Sequence, residues 1–368
     1  MPREAAMKDQ SKDIVLLGAG KIGSMVAHLL CTSGDYRLRV GDASMAQVER
    51  IARKYPQADG GQVDFADARG LDRLMQGGYA VISCAPFRCN PLIAERAKVS
   101  GLHYLDLTED VAVTGQVMEL ASGAPTAFIP QCGLAPGFIT IIAFHLIKSM
   151  TDVTDLRLRV GALPRYPSNM LKYNLTWSTE GLINEYCQPC EVVLNGALEH
   201  LQPLENLEHI AIDGVEYEAF NTSGGLGTLA DTLRGKVRNV NYKSLRYPGH
   251  NHLIKFLLHD LQMQGQQKLL QEIFDRCLPA TLQDQIVIFV SATGKWHGRL
   301  IENTYARTVY HQVIDGEDWS GIQITTAAGV CAVLDLLAAG KLPSAGFVRQ
   351  EQVDYDAFIG NRFGKYYA

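Results

Sequence analysis

Three glycines near the N-terminus have the G-x-G-x-x-G spacing of a turn that binds the pyrophosphate of a dinucleotide. They directly follow a short β-rich run at residues 13–17 and precede a helical pattern of apolar residues, which is the context that this motif requires. The first glycine permits the tight turn, the second lets the backbone approach the phosphates, and the third lets the helix pack against the strand. The free amides and positive dipole end of that helix then face the phosphates. The residues expected at the pyrophosphate are Gly18, Gly20, Lys21, Ile22 and Gly23.

A carboxylate follows where such a turn needs one to recognise the ribose. Asp42 ends the second predicted strand, nineteen residues beyond Gly23, and the next three residues are Ala-Ser-Met rather than an arginine. A carboxylate at this position accepts hydrogen bonds from the adenine ribose hydroxyls and repels a 2′-phosphate. We therefore expect NAD rather than NADP as the cofactor.

The ends of the third and fourth predicted strands complete the expected cofactor site. Asp64 ends the third strand, where its side chain can reach the adenine. Cys84, Ala85 and Pro86 end the fourth strand, and their small side chains leave room beside the cofactor in the crevice of the sheet. Cys84 is also a possible nucleophile, but no histidine lies near it in the sequence, so we favour a lining role.

The pattern of elements divides the chain into three parts. Strand and helix patterns alternate up to about residue 132, which predicts a doubly wound parallel sheet. Longer, partly alternating strand patterns follow, with helical patterns between them, and predict an α+β domain on a largely antiparallel sheet. Residues 323–340 form one helical stretch closed by Gly340. We predict a Rossmann domain over 1–132, a substrate and dimerisation domain over 133–322, and a helical segment over 323–368 that returns to the Rossmann domain.

In the second part, the individual elements are predicted as follows. Strands are expected at 153–161, 190–194, 208–213, 286–292, 298–303 and 307–313, and helices near 137–149, 178–186, 226–233 and 250–275.

The composition is that of an ordinary globular protein with enough apolar residues for a large core. The chain has 368 residues, 47 % of them hydrophobic, and a formal net charge of −5, which argues against a general binder of nucleic acid or anionic membrane. The longest apolar run, residues 138–147, is shorter than the roughly 18 residues of a membrane span. The mixed-charge N-terminus has no apolar secretory segment. We therefore expect a cytoplasmic protein that binds neither nucleic acid nor membrane.

The eight cysteines are scattered, which is not a disulfide framework in a chain of this length. Only Cys187 and Cys190 are close together, in Cys-Gln-Pro-Cys. A redox pair normally begins a helix after a strand, whereas this pair follows a predicted helix, and no second pair has metal-ligand spacing. We favour two unpaired thiols over a redox or metal site.

Several segments beyond residue 100 share the motifs of one enzyme family. They are HYLDLTED at 103–110, GLAPGF at 133–138, YPSN at 166–169, NLTWS at 174–178 and LRYPGH at 245–250. Together they resemble the saccharopine dehydrogenase family, and the resemblance extends from about residue 13 to the C-terminus. Glutamate-forming members typically carry aspartate where this chain has Ala135, and they tend to lack the Pro-Gly-His ending. Both differences favour resemblance to the lysine 6-dehydrogenase branch of the family.

The resemblance implies an NAD-dependent oxidative deamination of the lysine side chain. NAD accepts a hydride from Cε, and water hydrolyses the imine to ammonia and 2-aminoadipate 6-semialdehyde, which cyclises to 1-piperideine-6-carboxylate. Two alternatives within the family are a saccharopine dehydrogenase and a carboxynorspermidine-type dehydrogenase. These need a second cationic clamp, which Arg165 and Lys172 are placed to provide. A catalytically silent NAD-binding sensor is the alternative of a different class.

This chemistry sets requirements for acid–base and charged residues. The ε-ammonium, with a free pKa of about 10.4, must lose a proton, so the site needs a base. His250 is a candidate base or water-positioning residue, with a structural role as the alternative. Asp106 and Glu109 follow the fifth predicted strand, where one can attract the amine and the other cap a helix. Arg246 is the candidate clamp for the α-carboxylate, or else an inter-domain salt bridge.

The remaining candidates concern the pocket wall and the assembly. Tyr173, Thr176, Trp177 and Ser178 are expected to line the substrate pocket, although core packing is the favoured alternative for Trp177. Residues 133–137 are expected to form a hinge that closes the cleft. Because family members are oligomeric, we expect at least a homodimer that acts on a small amine or amino acid.

Overall fold

The computed structural model describes residues 11–368. The first unit alternates strand and helix in the order β1 (Lys12–Leu17), α1 (Lys21–Ser33), β2 (Tyr36–Asp42), α2 (Met45–Lys54), β3 (Ala58–Gln62), α3 (Ala68–Met75), β4 (Ala80–Ser83), α4 (Asn90–Ser100), β5 (His103–Asp106), α5 (Val111–Ala121) and β6 (Ala127–Ile129).

The second unit begins with α6 (Phe138–Ile147), β7 (Thr151–Pro164), α7 (Thr179–Cys187), β8 (Cys190–Leu194), β9 (Ala197–Leu201), β10 (Glu208–Ile212), β11 (Val215–Asn221), α8 (Leu229–Leu233) and β12 (Asn239–Arg246). It continues with α9 (His250–Lys255), α10 (Gln267–Cys277), β13 (Asp284–Trp296), β14 (Arg299–Tyr310), β15 (Gln312–Ile314) and β16 (Glu317–Trp319). The chain ends with α11 (Gly321–Ala338), β17 (Gly346–Phe347) and α12 (Tyr355–Ile359).

Two large sheets confirm the expected fold class. The first is a seven-stranded parallel sheet in the order β17-β6-β5-β4-β1-β2-β3. The second has the path β10-β11-β12-β7-β13-β14, with β8 and β9 attached through β12. Its pairings are antiparallel except between β12 and β7, which run parallel. The protein is therefore a doubly wound Rossmann-type unit joined to an α+β unit on a largely antiparallel sheet.

Several predicted elements of the second unit were wrong in detail. The strands expected at 298–303 and 307–313 are one continuous strand, β14, which pairs with β13 along its whole length. The helix expected at 250–275 is broken between α9 and α10, where Gln262 adopts a left-handed backbone conformation with a φ of 55°. The strands β9, β11 and β12 were not predicted. In β12 the signal was weak because most of its positions are polar, among them the buried Lys243 and Arg246.

The long helix α11 connects the two units. It begins at a capping box, in which Ser320 and Gln323 exchange hydrogen bonds, and the carboxylate of Asp284 on β13 accepts from the backbone N–H groups of Gly321 and Ile322. The helix packs against α1, and β17 beyond it joins the edge of the first sheet beside β6. The final part of the chain thus returns to the Rossmann-type unit.

The helix α11 also corrects an expectation about apolar length. By length and composition alone, the helix Gly321–Ala338 is long and apolar enough to cross a membrane. No apolar stretch of that length was expected from the sequence. However, 83 % of the helix is buried inside the protein, as in the core helix of a globular fold.

A glycine in α11 permits close contact with the junction between the units. A Cβ atom on Gly329 would lie 2.6 Å from the carbonyl oxygen of Cys132 and 2.9 Å from that of Gly133. Both atoms are backbone, so neither can move without shifting the junction. We predict that Gly329→Ala lowers the free energy of unfolding by about 1–3 kcal/mol, measured by urea denaturation.

The matched control is Gly115→Ala. Gly115 is also a helical glycine, in α5, but a Cβ atom there meets nothing within 4 Å. Alanine is the better helix former by about 1 kcal/mol, so this variant should be unchanged or more stable. Equal stabilities for the two variants would contradict the packing described for α11.

Candidate active site

A cavity of about 320 Å³ lies between the carboxyl edge of the parallel sheet and the second unit. On one side it is lined by the segment after β4, by the segment after β5 and by residues 133–136. On the other side it is lined by α7 with the segment before it, and by β7 and β12. The carboxyl edge of an open α/β sheet is where such folds bind ligands. The cavity is thus shared by the expected cofactor unit and the expected substrate unit.

The predicted clamp Arg246 lies in this cavity and forms a buried ion pair. It is the last residue of β12 and only 3 % exposed. Its Nη2 donates to Oε1 of Glu185 at 2.7 Å, Nε donates to the Tyr186 hydroxyl at 2.8 Å, and Nη1 donates to the Leu245 carbonyl at 2.9 Å. The guanidinium also lies 5.2 Å from the ring centroid of Tyr173. Since arginine has five N–H donors, these contacts leave two for a substrate carboxylate.

His250 lies behind the cavity rather than in it. The ring is 1 % exposed, with Nδ1 at 2.8 Å from the Leu171 carbonyl and Nε2 at 3.1 Å from the Tyr186 hydroxyl. A carbonyl only accepts, so Nδ1 carries the proton, Nε2 accepts from Tyr186, and the Tyr186 oxygen in turn accepts from Arg246. Burial, together with the charge of Arg246, lowers the pKa of His250 to about 3. The predicted role of base is therefore corrected to a positioning role, in which neutral His250 orients Tyr186.

Two glutamates lie in the cavity where the histidine was expected. Glu109 and Glu185 both line the cavity. Burial raises the pKa of Glu109 to about 7, and the nearby charge of Glu185 contributes to the rise. Burial also raises the pKa of Glu185 to about 7, although Arg246 opposes this shift. Both carboxyl groups are therefore easier to protonate than an ordinary glutamate.

Sequence reasoning identified Glu109 but missed Glu185. Glu185 lies two helical turns beyond Ser178, so both project from the same face of α7. Ser178 was already expected in the pocket, and this periodicity was the signal that could have found Glu185.

Asp106, the third predicted catalytic residue, is a structural group. It is fully buried and does not line the cavity. Its Oδ1 accepts from the backbone N–H groups of Thr108 and Gln131 at 3.0 and 2.9 Å, and Oδ2 accepts from the Tyr104 hydroxyl at 2.7 Å. Both oxygens are thus used to fix the segments after β5 and β6, and the expected catalytic role is corrected.

The four predicted pocket residues divide into two groups. Trp177 and Ser178 line the cavity, and Ser178 also caps α7 by accepting from the Gly181 N–H. Tyr173 and Thr176 are buried behind the wall. The Tyr173 hydroxyl accepts from the indole N–H of Trp177 at 3.1 Å, which fixes the ring as part of the wall. Residues 133–136 of the expected hinge also line the cavity.

The glycine turn has the geometry that a dinucleotide requires. A Cβ atom on Gly18 would lie 2.7 Å from the Cys84 carbonyl oxygen, and one on Gly23 would lie 1.8 Å from the Gly18 carbonyl oxygen. By contrast, a Cβ atom on Gly20 meets nothing within 4 Å, so open space faces this residue just before α1 begins at Lys21. The turn is closed where it meets the fold and open at the helix N-terminus, which suits a pyrophosphate. Ile22, the next residue, lines the cavity.

Of the other expected cofactor residues, Asp42 and Cys84 lie against this turn. Oδ2 of Asp42 accepts from the Ala19 N–H at 2.7 Å, which places the carboxylate beside the glycine turn. Asp64 lies two residues beyond the end of β3 and is exposed. Cys84, Ala85 and Pro86 line the cavity, and burial raises the pKa of the Cys84 thiol to about 12. A neutral thiol is a poor nucleophile, so the geometry agrees with a lining role.

The close cysteine pair is not joined in the structure. Cys187 and Cys190 are both buried and free, and burial raises their pKa values to about 11 and about 12. Within residues 11–368 there is no group of three or more His, Cys, Asp and Glu side chains that could hold a metal ion.

Two family profiles match most of the chain. The profile described as saccharopine dehydrogenase C-terminal domain matches residues 133–364, and the one described as saccharopine dehydrogenase NADP binding domain matches residues 14–129. Among curated proteins, the mitochondrial alpha-aminoadipic semialdehyde synthases of Rattus norvegicus and Bos taurus are 21 % and 22 % identical over 253 and 250 residues. These matches cover 63 % of this chain and 27 % of each relative, so the chain spans about a quarter of their length.

Solved structures share the fold at low sequence identity. The saccharopine dehydrogenase (L-Glu forming) of Saccharomyces cerevisiae has a TM-score of 0.78 at 15 % identity, covering 95 % of this chain and 96 % of that one. The homospermidine synthase of Legionella pneumophila, solved in complex with NAD, has a TM-score of 0.68 at 14 % identity, covering 97 % of this chain and 89 % of that one. At these identities the likeness is one of fold.

The hydrogen-bonded chain behind Arg246 leads to a test of stability. In Tyr186→Phe, the Nε donor of Arg246 and the Nε2 acceptor of His250 lose their partner while still buried. An unsatisfied buried polar group costs about 1–3 kcal/mol, so we predict a loss of at least this size in the free energy of unfolding. Tyr166→Phe is the control, since that side chain is 64 % exposed. If both variants unfold at the same urea concentration as the unmodified protein, the chain of hydrogen bonds is not present.

Proposed function

The chain belongs to the saccharopine dehydrogenase family, and from that membership we propose that it is an NAD-dependent dehydrogenase that oxidatively deaminates the side chain of L-lysine. The products are ammonia and 2-aminoadipate 6-semialdehyde. The observation that carries this proposal is the charge inside the cavity. Among residues 11–368, three glutamates and a single arginine line it.

This charge pattern favours lysine over saccharopine as the substrate. Saccharopine has three carboxylates and needs more than one cationic partner, whereas lysine has one carboxylate and two amines. The side chains that were expected to form a second clamp lie elsewhere. Arg165 stacks on Tyr166 and Tyr310, and Lys172 donates to the Pro248 carbonyl. Neither of them lines the cavity.

The cavity residues have distinct tasks in this reaction. The two remaining N–H donors of Arg246 bind the α-carboxylate of lysine, and the buried carboxyl groups of Glu109 and Glu185 surround its side-chain ammonium. A carboxylate beside the ammonium accepts the proton that nitrogen must lose before a C=N bond can form. When bound, NAD supplies the acceptor for the hydride that leaves the amine-bearing carbon. Trp177 forms an apolar wall that limits the access of water.

The choice of NAD over NADP rests on Asp42. Its carboxylate lies beside the glycine turn, where it accepts from ribose hydroxyls and repels a 2′-phosphate. The family profile that matches this unit is described as an NADP binding domain. The preference for NAD is therefore proposed for this chain from Asp42 alone.

A diamine without a carboxylate is the second candidate substrate. Arg246 is already paired with Glu185 at 2.7 Å, so its charge is balanced before any ligand arrives. The cavity would then recognise two amino groups through its glutamates. A single comparison of lysine with 1,5-diaminopentane, which is lysine without its carboxylate, separates these two candidates.

We predict NADH formation at 340 nm with L-lysine and NAD, together with release of ammonia. Saccharopine should give at most a small fraction of this rate, because the cavity lacks cations for its additional carboxylates. Turnover of saccharopine but not lysine would assign the chain to the other branch of the family. Turnover of neither, nor of 1,5-diaminopentane, would support the silent NAD-binding sensor.

The role of Arg246 is tested by Arg246→Lys, which keeps the charge but loses the planar pattern of donors. We predict that KM for lysine rises at least tenfold while KM for NAD is unchanged. The control is the KM for 1,5-diaminopentane, which should change less because this substrate has no carboxylate for Arg246 to bind. An equal rise for both substrates would remove Arg246 as the carboxylate clamp.

The cofactor assignment is tested by Asp42→Ala. Loss of the carboxylate should raise KM for NAD at least tenfold and reduce the discrimination against NADP, while KM for lysine stays within about twofold. Each tenfold change corresponds to about 1.4 kcal/mol. An unmodified protein that already prefers NADP would contradict the role given to Asp42.

A further inference from the structure

Glu109 belongs to the Rossmann-type unit, but its surroundings come from the second unit. It follows β5, yet two glycines of the second unit lie directly against it. A Cβ atom on Gly181, in α7, would lie 2.7 Å from Oε1 of Glu109 and 2.6 Å from Cζ3 of Trp177. A Cβ atom on Gly224 would lie 2.2 Å from the carbonyl oxygen of Glu109. A Cβ atom at either position would therefore force a neighbouring group to shift, the backbone of Glu109 at Gly224 and side-chain atoms at Gly181.

The two glycines contact different parts of Glu109. Gly224 contacts the backbone, and its φ of +81° is itself unfavourable for other residues. Gly181 contacts the carboxyl group, which is the far end of a flexible side chain. Gly224 therefore fixes the position of the Glu109 backbone against the second unit, and Gly181 fixes the position of its carboxyl group.

We propose that Gly181 and Gly224 are positioning residues that form a seat for Glu109, and that Glu109 held in this seat accepts the proton released by the substrate ammonium. This inference rests on the proposed function. The N–H bond of the ammonium breaks, its electron pair stays on nitrogen, and the proton forms an O–H bond on the Glu109 carboxylate. Glu109 is catalytic because it contacts the substrate, whereas the glycines act through it.

The ion pair between Arg246 and Glu185 explains why Glu109, and not Glu185, takes the proton. Glu185 is held by Arg246 at 2.7 Å, so protonating it would leave a buried guanidinium without its counter-ion. Within residues 11–368, no arginine, lysine or histidine side chain forms an ion pair with Glu109. The carboxylate of Glu109 is therefore the one that can become neutral at little cost.

The position of the seat also places the two carboxyl groups close together. Gly181 and Glu185 are four residues apart in α7, which puts them on the same face of the helix. The acidic groups that face Glu109 are Glu185 from α7 and, from its own segment and strand, Asp110 and Asp106. Burial first, and then these charges, raise the pKa of Glu109 to about 7. Since the base must be ionised to act, activity is expected to fall as pH decreases through this value.

Further contacts hold the same two segments together. The Asp110 carboxylate accepts from the Asn184 side-chain amide at 3.3 Å. Arg88, just after β4, donates to both carboxylate oxygens of Glu180 at 2.7 Å. These bonds join the Rossmann-type unit to α7 at Glu180 and Asn184, on either side of Gly181 in the sequence, so the seat is formed only when the two units are in contact.

The test uses Gly181→Ala, whose methyl group would lie between the Trp177 ring and the Glu109 carboxyl and push the carboxyl out of the seat. We expect kcat with lysine to fall at least tenfold while KM for NAD is unchanged. The acidic limb of the pH profile should move from near 7 toward the ordinary glutamate value of about 4.3. Gly115→Ala, the helical glycine with open space around it, is the matched control and should keep both kcat and the limb.

Rescue by a shorter side chain separates positioning from general damage. In Gly181→Ala, the added change Glu109→Asp shortens the side chain by one methylene and relieves the contact. The double variant should lose less activity than the product of the two single losses. Multiplicative losses would mean that Gly181 does not act through Glu109, and would overturn the proposal.

A measurement without substrate distinguishes failure of the seat from failure of the proposed function. Trp177 contacts the same position on Gly181, so its fluorescence should titrate near pH 7 in the unmodified protein. This transition should be much smaller in Glu109→Gln, where only Glu185 still titrates nearby, absent in Trp177→Phe, and shifted to lower pH in Gly181→Ala. If it behaves in this way but lysine is not turned over, the seat stands and the substrate is wrong.

An unchanged titration and an unchanged pH limb in Gly181→Ala would overturn the seat. If Gly181→Ala does not fold, Glu109→Asp alone provides the test, because its shorter carboxyl group withdraws from Gly181. The same tenfold fall in kcat and the same lowering of the limb are then expected. Full activity with the limb still near 7 in Glu109→Asp would equally overturn the proposal.

Discussion

The buried ion pair between Arg246 and Glu185 is the interaction on which the rest of the candidate site depends. Removing two charges from water is costly, and such a pair is tolerated only when the remaining donors and acceptors are also satisfied. Here the Tyr186 hydroxyl and the Leu245 carbonyl accept hydrogen bonds from further N–H groups of the guanidinium, and neutral His250 accepts a hydrogen bond from the Tyr186 hydroxyl. The pair thereby joins β12, α7 and α9. Because α7 is held in this way, its glutamate and its cap face the cavity.

The cofactor side of the cavity is held by a different element. The helix α11 comes from the end of the chain, yet Gln323 donates to the Lys21 carbonyl in the glycine turn at 2.9 Å. Further along the helix, the Tyr36 hydroxyl donates to Asp335 at 2.6 Å. Ile322 of the same helix lines the cavity. One buried helix therefore contacts the dinucleotide turn, the cavity and the junction between the units, which makes the position of the cofactor dependent on the second unit.

The sequence was sufficient for features that depend on local residue types. The glycine turn needs a strand before it and a helix after it, and both could be identified from neighbouring residues. The strand β12 was missed because its buried side chains include Lys243 and Arg246, whose burial depends on partners far away in the chain. For the same reason His250 was expected in the cavity, since residue type alone does not distinguish a wall from the layer behind it. Glu185 could have been found from its spacing of two helical turns from Ser178, but its ion pair with Arg246 could not, because that partner lies 61 residues away in the chain.

In the proposed function, acidic side chains recognise the reacting amine while one arginine recognises the carboxylate. A crystal structure of the protein with NAD and L-lysine bound tests this arrangement without an intermediate step. We expect the side-chain nitrogen within hydrogen-bond distance of Glu109, close to Glu185, and the α-carboxylate in contact with Arg246. A lysine bound in the opposite direction, with its α-amine at Glu109 and its side chain pointing away from the cofactor turn, would contradict it.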